Sequence, residues 1–223
     1  MASENSTFYF EHLYPLQNEV LRLTTGLDTG FYLSGGTAAS RGYLHHRFSD
    51  DLDLFVNDDE RFGLWSARVI QALLTQPAWQ VSVTLREQRF TRLSVLRPDA
   101  TLKIELINDV PAHTGLIRQH PQLGRLDSAE NILANKITAV VDREEPKDLA
   151  DIWGFCCQMG LSLVDAIENA GSKAAGIFVL DIARILSSVT VADWELVRWI
   201  QAPPPQKFVA DLEALGESLI LEP

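Results

Sequence analysis

The stretch that decides the fold begins with Phe31-Tyr32-Leu33-Ser34-Gly35-Gly36-Thr37 and resumes with Asp51-Leu52-Asp53-Leu54-Phe55-Val56. Its first part is a short apolar run that stops at a Gly-Gly pair, which is typical of a strand that ends in a tight turn. Residues 37–44 favour a short helix. The second part alternates between polar and apolar residues, which predicts the next strand. The sequence therefore predicts a strand, a glycine turn, a helix and a second strand.

Amphipathic helices are predicted on both sides of this unit. Residues 8–23 and 60–75 each carry apolar side chains three and four positions apart, which is the spacing of one helix face. Three further strands are predicted at residues 79–85, 90–96 and 101–107. The first half of the chain thus combines helices with several strands.

After Leu126 the pattern is helical to the end of the chain. Asp127 is a candidate N-cap of the first of these helices, because Glu130 follows three residues later as in a capping box. We therefore predict an α+β fold, with a mixed β-sheet core over residues 1–125 and an all-helical part over residues 126–223.

Composition restricts the class of protein. Hydrophobic residues make up 46% of the 223 residues and charged residues 22%, which is ordinary for a globular protein. The formal net charge of −11 argues against a protein that coats nucleic acid indiscriminately. Neither a signal peptide nor a stretch of about 18 apolar residues that spans a membrane is visible, so we expect a cytoplasmic protein. Adjacent Cys156 and Cys157 are expected to be buried thiols.

An acidic pair is the first candidate for chemistry. Asp51 and Asp53 lie two positions apart on one predicted strand, so their carboxylates face the same side. Such a pair repels unless a cation offsets it, and Mg²⁺ binds one or two carboxylates together with substrate phosphates. Glu105, which shares a strand face with Lys103, becomes a third ligand if the two strands are neighbours. A solvated strand face is the alternative explanation for Glu105.

The glycine turn is the second candidate. Glycine allows backbone N–H groups to approach a phosphate closely, and the start of a helix supplies partial positive charge. The candidate nucleotide-binding residues here are Ser34, Gly35, Gly36 and Thr37. Arg47 is predicted to balance the carboxylates, to contact phosphate or to pair with Asp50. His45 and His46 have no further zinc ligands at suitable spacing, so we expect them to be solvated.

Charged residues on the predicted helices are the third candidate. Lys136 lies on an apolar helix stripe, where a lysine either reaches past the core or meets an anion in a cavity. Asp148 and Asp151 share a face of the next helix. They are predicted to hold Lys136 or Arg143 in place, to contact substrate or to cap the helix.

Two groups of motifs resemble a known family. The segments 33–38 and 43–55 resemble the signature of the DNA polymerase β-like nucleotidyltransferases, and within them the AbiEii group, the toxin half of abortive-infection toxin–antitoxin systems. Lys136, Arg143 and the segment 147–152 are similar to the lysine motif and the Arg…Lys-Asp-x-x-Asp motif of that group. The family more often has aspartate where this sequence has Glu105.

The resemblance implies transfer of a nucleoside monophosphate from an NTP to an acceptor hydroxyl, with Mg²⁺ or Mn²⁺ held by Asp51, Asp53 and Glu105. The implied catalytic residues are Asp51, Asp53, Glu105, Lys136 and Asp148. The implied nucleotide-binding residues outside the glycine turn are Arg47, Lys136 and Asp151. It also implies a tRNA or similar cellular acceptor and an antitoxin protein as partner.

Two other functions fit the same residues. A small-molecule, antibiotic-type nucleotidyltransferase has the same metal site with a closed acceptor pocket, and the negative net charge favours it. A non-catalytic nucleotide-binding or antitoxin-binding module is the second alternative, although mutually repelling acids argue against it. If the acceptor is RNA, the candidate contacts are arginines of the middle strands, and solvated arginines are the alternative. These residues are Arg86, Arg89, Arg92 and Arg97.

Overall fold

The computed structural model describes residues 6–221, which form two compact units. The first unit consists of Met1–Ala38, Ser49–Pro111 and Ile117–Asp127, and the second of Ala39–Phe48, Ala112–Leu116 and Ser128–Pro223. Two short segments of the second unit therefore lie within the sequence of the first. A division into folding domains between residues 125 and 126 stays a prediction.

Seven strands form one mixed sheet in the first unit. They are β1 (Tyr32–Ser34), β2 (Leu52–Asn57), β3 (Gln80–Arg86), β4 (Phe90–Leu96), β5 (Thr101–Asp109), β6 (Arg118–His120) and β7 (Gly124–Leu126). Their order across the sheet is β3-β4-β5-β2-β1-β7-β6. The pairs β2–β5 and β1–β7 are parallel, and the other neighbours are antiparallel. The predicted α+β class with a mixed sheet is confirmed.

The two strands β6 and β7 were not predicted. Each contains three residues, which is too short for an alternating pattern to be visible in the sequence. They are defined by pairing: Leu126 of β7 lies beside Leu33 of β1, and the Asp127 N–H donates to the Leu33 carbonyl oxygen at 2.9 Å. Backbone hydrogen bonds between distant segments thus form this edge of the sheet.

The helices of the first unit lie where the sequence predicted them, although Phe10, on the apolar stripe predicted for residues 8–23, is 54% exposed. A π-helical segment, Phe8–Leu13, continues into α1 (Tyr14–Thr25), and α3 spans Phe62–Leu74. The glycine turn forms the short α2 (Gly35–Thr37), and the π-helical segment that follows it, Ala38–Leu44, belongs from Ala39 onward to the second unit. The apolar stripe predicted for α3 is buried, since its four members are at most 6% exposed: Phe62, Trp65, Val69 and Leu73.

The second unit is helical after Asp127, as predicted. Its helices are α4 (Ala129–Arg143), α5 (Pro146–Trp153), α6 (Leu163–Gly171), α7 (Val179–Ser187), α8 (Val191–Leu196) and α9 (Pro205–Leu221), with a π-helical segment at Gly154–Gln158. None of the helices within residues 6–221 is long and apolar enough to cross a membrane.

Two local expectations were wrong. The N-cap of α4 is Ser128, not Asp127, because Ser128 has the extended backbone of a cap and its hydroxyl accepts the Asn131 N–H at 3.0 Å. Cys157 is exposed rather than buried, because the neighbouring Phe155 occupies the core position of the π-helical segment. Cys156 is partly buried, and this burial raises the pKa of its thiol to about 12.

Candidate active site

The acidic pair lies at the start of β2. Leu52 and Leu54 are buried, at 0% and 3% exposure, whereas Asp51 and Asp53 are partly exposed. The alternation of a strand therefore turns the leucines to the core and the two aspartates to the other side of the sheet.

Asp53 lies between two other predicted site residues. In the antiparallel pair β1–β2 it is the register partner of Ser34, and in the parallel pair β2–β5 it is the partner of Glu105. Three adjacent strands thus place the end of the glycine turn, the acidic pair and Glu105 side by side. The sequence predicted that Glu105 joins the acidic pair if their two strands are neighbours, and β2 and β5 are neighbours in the sheet.

Two basic residues contact this acidic cluster. Lys103 Nζ lies 2.8 Å from Asp51 Oδ2 and 3.3 Å from Glu105 Oε1. Arg92 Nε donates to the same Glu105 oxygen at 2.8 Å. Burial acts to lower the pKa of Lys103, but the hydrogen bond and charge of Asp51 outweigh it, so the pKa is raised and the ammonium stays charged.

The carboxylates are therefore partly neutralised by the protein itself. Within residues 6–221, no three His, Cys, Asp or Glu side chains converge as a ready-made metal site. Asp51 and Asp53 nevertheless suit Mg²⁺, which takes one or two carboxylates and completes its coordination with water and phosphate. Glu105 is positioned against Lys103 and Arg92.

The glycine turn is in direct contact with Asp53. Gly35 has φ +65°, in the left-handed region, and a methyl group on its Cα would overlap the Asp53 carboxylate. Gly36 follows it in α2. Only glycine at position 35 therefore allows the turn and the carboxylate to be this close.

The hydroxyl groups of the turn brace it against the rest of the first unit. The buried Ser34 Oγ donates to Asp127 Oδ2 at 2.6 Å. Thr37 Oγ1 donates to the Asp51 carbonyl oxygen and to Ser49 Oγ. These bonds fix the turn relative to the acidic pair. Since both hydroxyl groups donate to protein oxygens, the groups of the turn suited to bind phosphate are its backbone N–H groups.

Two polar residues of the first helical segment were missed by the sequence reasoning. The buried Gln17 donates to the carbonyl oxygens of Ser49 and Asp50, each at 3.1 Å, and Tyr9 donates to the Asp50 carboxylate. The sequence signal that could have identified Gln17 was its position among the apolar residues of an amphipathic helix. Both residues hold the segment that leads into the acidic pair.

The predicted helical residues form a separate, buried cluster in the second unit. Lys136 Nζ lies 2.7 Å from Asp148 Oδ1 and 2.7 Å from Asp151 Oδ2, and all three side chains are at most 6% exposed. Arg143 donates to Asp148 at 2.8 Å, and Arg47 donates two hydrogen bonds of 2.7 Å to Asp151. Each aspartate therefore holds a lysine and an arginine.

The charges of this cluster stabilise one another. Burial acts to raise the pKa of Asp151, but Arg47 and Lys136 outweigh it and hold the pKa well below its ordinary range. Burial likewise acts to lower the pKa of Lys136, and the charges of Asp151 and Asp148 reverse this, so the pKa is raised. Asp151 and Lys136 therefore both remain ionised.

The segment before β2 contains one contact that the sequence had not proposed and one expectation that was wrong. Arg47 pairs with Asp151, because its segment belongs with α5 to the second unit. His46 is fully buried rather than solvated, with Nε2 3.1 Å from Asp151 Oδ1. Burial lowers the pKa of His46 and outweighs the opposing effect of Asp151, so its ring is neutral at pH 7. His45 is exposed, as expected.

Comparisons with known proteins agree with this geometry. The family model described as nucleotidyl transferase AbiEii toxin of type IV toxin–antitoxin systems matches residues 21–186. No curated protein matches the chain.

Solved structures show the same fold. A Helicobacter pylori protein assigned as a nucleotidyltransferase is 18% identical, with 92% of this chain and 93% of that chain covered and a TM-score of 0.64. JHP933 from Helicobacter pylori is 18% identical, with 92% and 89% covered and a TM-score of 0.62. The nucleotidyltransferase toxin MenT4 from Mycobacterium tuberculosis is 16% identical, with 95% and 84% covered and a TM-score of 0.58.

Proposed function

Because the chain belongs to the AbiEii family of nucleotidyltransferase toxins, we propose that it transfers a nucleoside monophosphate from an NTP to an acceptor hydroxyl with the help of Mg²⁺. The observation that carries the proposal is the contact between Gly35 and Asp53. It places a turn suited to phosphate beside a carboxylate suited to the metal that accompanies phosphate.

The predicted site residues of the first unit have distinct roles in the proposed reaction. Asp51 and Asp53 would hold the ion, which when bound neutralises negative charge on the triphosphate. The backbone N–H groups of Gly35 and Gly36 would bind phosphate oxygens. Mn²⁺ would satisfy the same oxygen ligands. The predicted third ligand, Glu105, is paired with Lys103 and Arg92, so the metal proposal rests on the two aspartates.

The buried cluster of the second unit supplies the other predicted residues. Lys136 is proposed as the point charge that stabilises negative charge on the phosphates, with Arg47 as a second contact. Asp148 and Asp151 would keep these cations in place, since both aspartates bind Lys136 and Asp151 also binds Arg47, each at 2.7 Å.

The acceptor and the partner are proposed from the family alone. A toxin of this family would modify tRNA or a similar cellular target and be restrained by an antitoxin protein. Of the arginines proposed as RNA contacts, three are paired with acids. Arg89 binds Asp58, Arg92 binds Glu105, and Arg97 binds Glu19. The exposed or partly exposed pairs of Arg89 and Arg97 are weak enough for phosphate to compete with them, whereas Arg92 is held against Glu105.

Labelling of RNA tests the proposed activity. The protein is incubated with each α-labelled NTP, Mg²⁺ and total RNA, beside the double variant Asp51→Asn/Asp53→Asn and the control Asp28→Asn on the exposed surface. We expect the double variant to lose labelling on the order of 100-fold or more, as when a transition-state stabiliser is removed, and the control to retain it. Equal labelling by the double variant would remove the mechanism.

Growth on induction tests the toxin assignment separately. Expression of the wild-type chain is expected to arrest growth, and expression of Asp51→Asn/Asp53→Asn is expected not to. Transfer to a small molecule without growth arrest would instead favour the antibiotic-type nucleotidyltransferase.

A further inference from the structure

Lys103 is part of the acidic cluster, with 41% of its side chain exposed. Lys103 and Glu105 are two positions apart on β5, so their side chains lie on the same face. Ile104 between them is the register partner of Leu52, the residue after Asp51. The backbone register therefore places Lys103 opposite Asp51 on the neighbouring strand. The Lys103 ammonium contacts both Asp51 and Glu105.

Glu105 is committed to the two bases. Arg92 is its register partner on β4 and donates to Oε1 at 2.8 Å, and Lys103 approaches the same oxygen at 3.3 Å. The Glu105 side chain is 15% exposed, whereas those of Arg92 and Lys103 are 45% and 41% exposed, so water reaches the two basic groups but little of the carboxylate. A carboxylate held this way orients the ammonium of Lys103 and is a poor ligand for a further cation.

The charges of the cluster leave room for one divalent ion. In the ion pairs described within residues 6–221, Lys103 and Arg92 face Asp51 and Glu105, and Asp53 adds a further carboxylate beside them. A second divalent ion between Asp51 and Glu105 would lie next to the Lys103 ammonium, and two cations at about 4 Å repel strongly in a partly buried site. Two-metal sites hold their ions about 3.5–4 Å apart, and here the Lys103 ammonium already contacts both Asp51 and Glu105.

We propose that Lys103 is the resident cation of this site and takes the place of a second metal ion, so that the enzyme binds a single divalent ion per chain, on Asp51 and Asp53. The inference rests on the proposed function. In this proposal Lys103 faces the phosphates in the active site. Glu105, together with Arg92, is the positioning residue that holds Lys103.

Counting bound Mn²⁺ tests this inference without measuring activity. The protein is mixed with Mn²⁺ and a non-hydrolysable NTP analogue, unbound ligand is removed by gel filtration, and bound Mn²⁺ is counted by electron paramagnetic resonance. We expect one Mn²⁺ per chain for the wild type and for Lys103→Arg, which keeps the charge. We expect two for Lys103→Met. Lys207→Met, which removes an exposed lysine of α9, serves as the control and should bind one.

The outcomes separate the two proposals. Two Mn²⁺ ions in the wild-type chain, or one in Lys103→Met, would overturn the role of Lys103. The same count in Asp51→Asn/Asp53→Asn as in the wild type would overturn the metal site of the proposed function itself. Loss of Mn²⁺ from that double variant together with two ions in the wild type would refute only the inference about Lys103.

Discussion

Replacement of Gly35 by alanine tests whether the glycine turn and Asp53 form one site. Gly35 has φ +65°, where a residue with a Cβ costs about 1–2 kcal/mol. In addition, the new methyl group overlaps the Asp53 carboxylate, which must move away from its position beside the turn. We therefore expect two effects, a loss of stability and a loss of metal and nucleotide binding.

Gly160→Ala is the matched control for this substitution. Gly160 has φ +71°, so alanine there carries the same backbone strain, but a Cβ meets no atom within 4 Å. Gly160→Ala should lose about 1–2 kcal/mol in the free energy of unfolding, measured by urea titration with circular dichroism, and Gly35→Ala should lose at least as much, because the overlap with Asp53 adds to the backbone strain. Only Gly35→Ala should also weaken Mn²⁺ binding about tenfold or more, which corresponds to about 1.4 kcal/mol, and reduce transfer of label to RNA.

Two results would refute the reasoning. If Gly35→Ala binds Mn²⁺ and transfers label like the wild type, the position of Asp53 against the turn has no role in the reaction. If Gly160→Ala loses Mn²⁺ binding to the same extent, the loss reflects general destabilisation and not the clash with Asp53.

Two further predictions concern the buried cluster of the second unit. Asp151→Asn leaves Lys136 and Arg47 buried beside a neutral partner, so we expect a loss of about 3–5 kcal/mol in urea unfolding, and a loss below about 1 kcal/mol would contradict a desolvated cluster. For His46, burial lowers the pKa of the folded state, so its contribution to stability is present above the unfolded pKa of about 6.5 and is lost as the pH falls from there through the folded value. The loss of stability approaches about 1.4 kcal/mol per pH unit. Unfolding measured between pH 7 and pH 5 should show that His46→Asn removes this pH dependence, while His45→Asn, at the exposed neighbour, retains it. Equal slopes in the two variants would show that His46 titrates as a solvated residue.

The sequence alone determined the segment to which the proposed chemistry is assigned. A strand, a Gly-Gly turn, a helix and a strand with Asp51 and Asp53 were predicted from local patterns, because alternation and glycine conformation are properties of the backbone within a few residues. The same patterns separated the sheet from the helical remainder, and the motifs indicated the AbiEii family, which the match over residues 21–186 confirms.

Only the tertiary structure decided which side chains meet. The register that joins Asp53 to Glu105, the position of Lys103 between two carboxylates, and the pairing of Arg47 with Asp151, 104 residues apart, follow from contacts between distant segments. No periodicity in the sequence encodes such contacts, since the residues around a charged side chain in the sequence do not tell whether folding buries it or leaves it exposed. His46 shows this most directly: it was expected in solvent beside His45, and packing of its segment in the second unit buried it against Asp151.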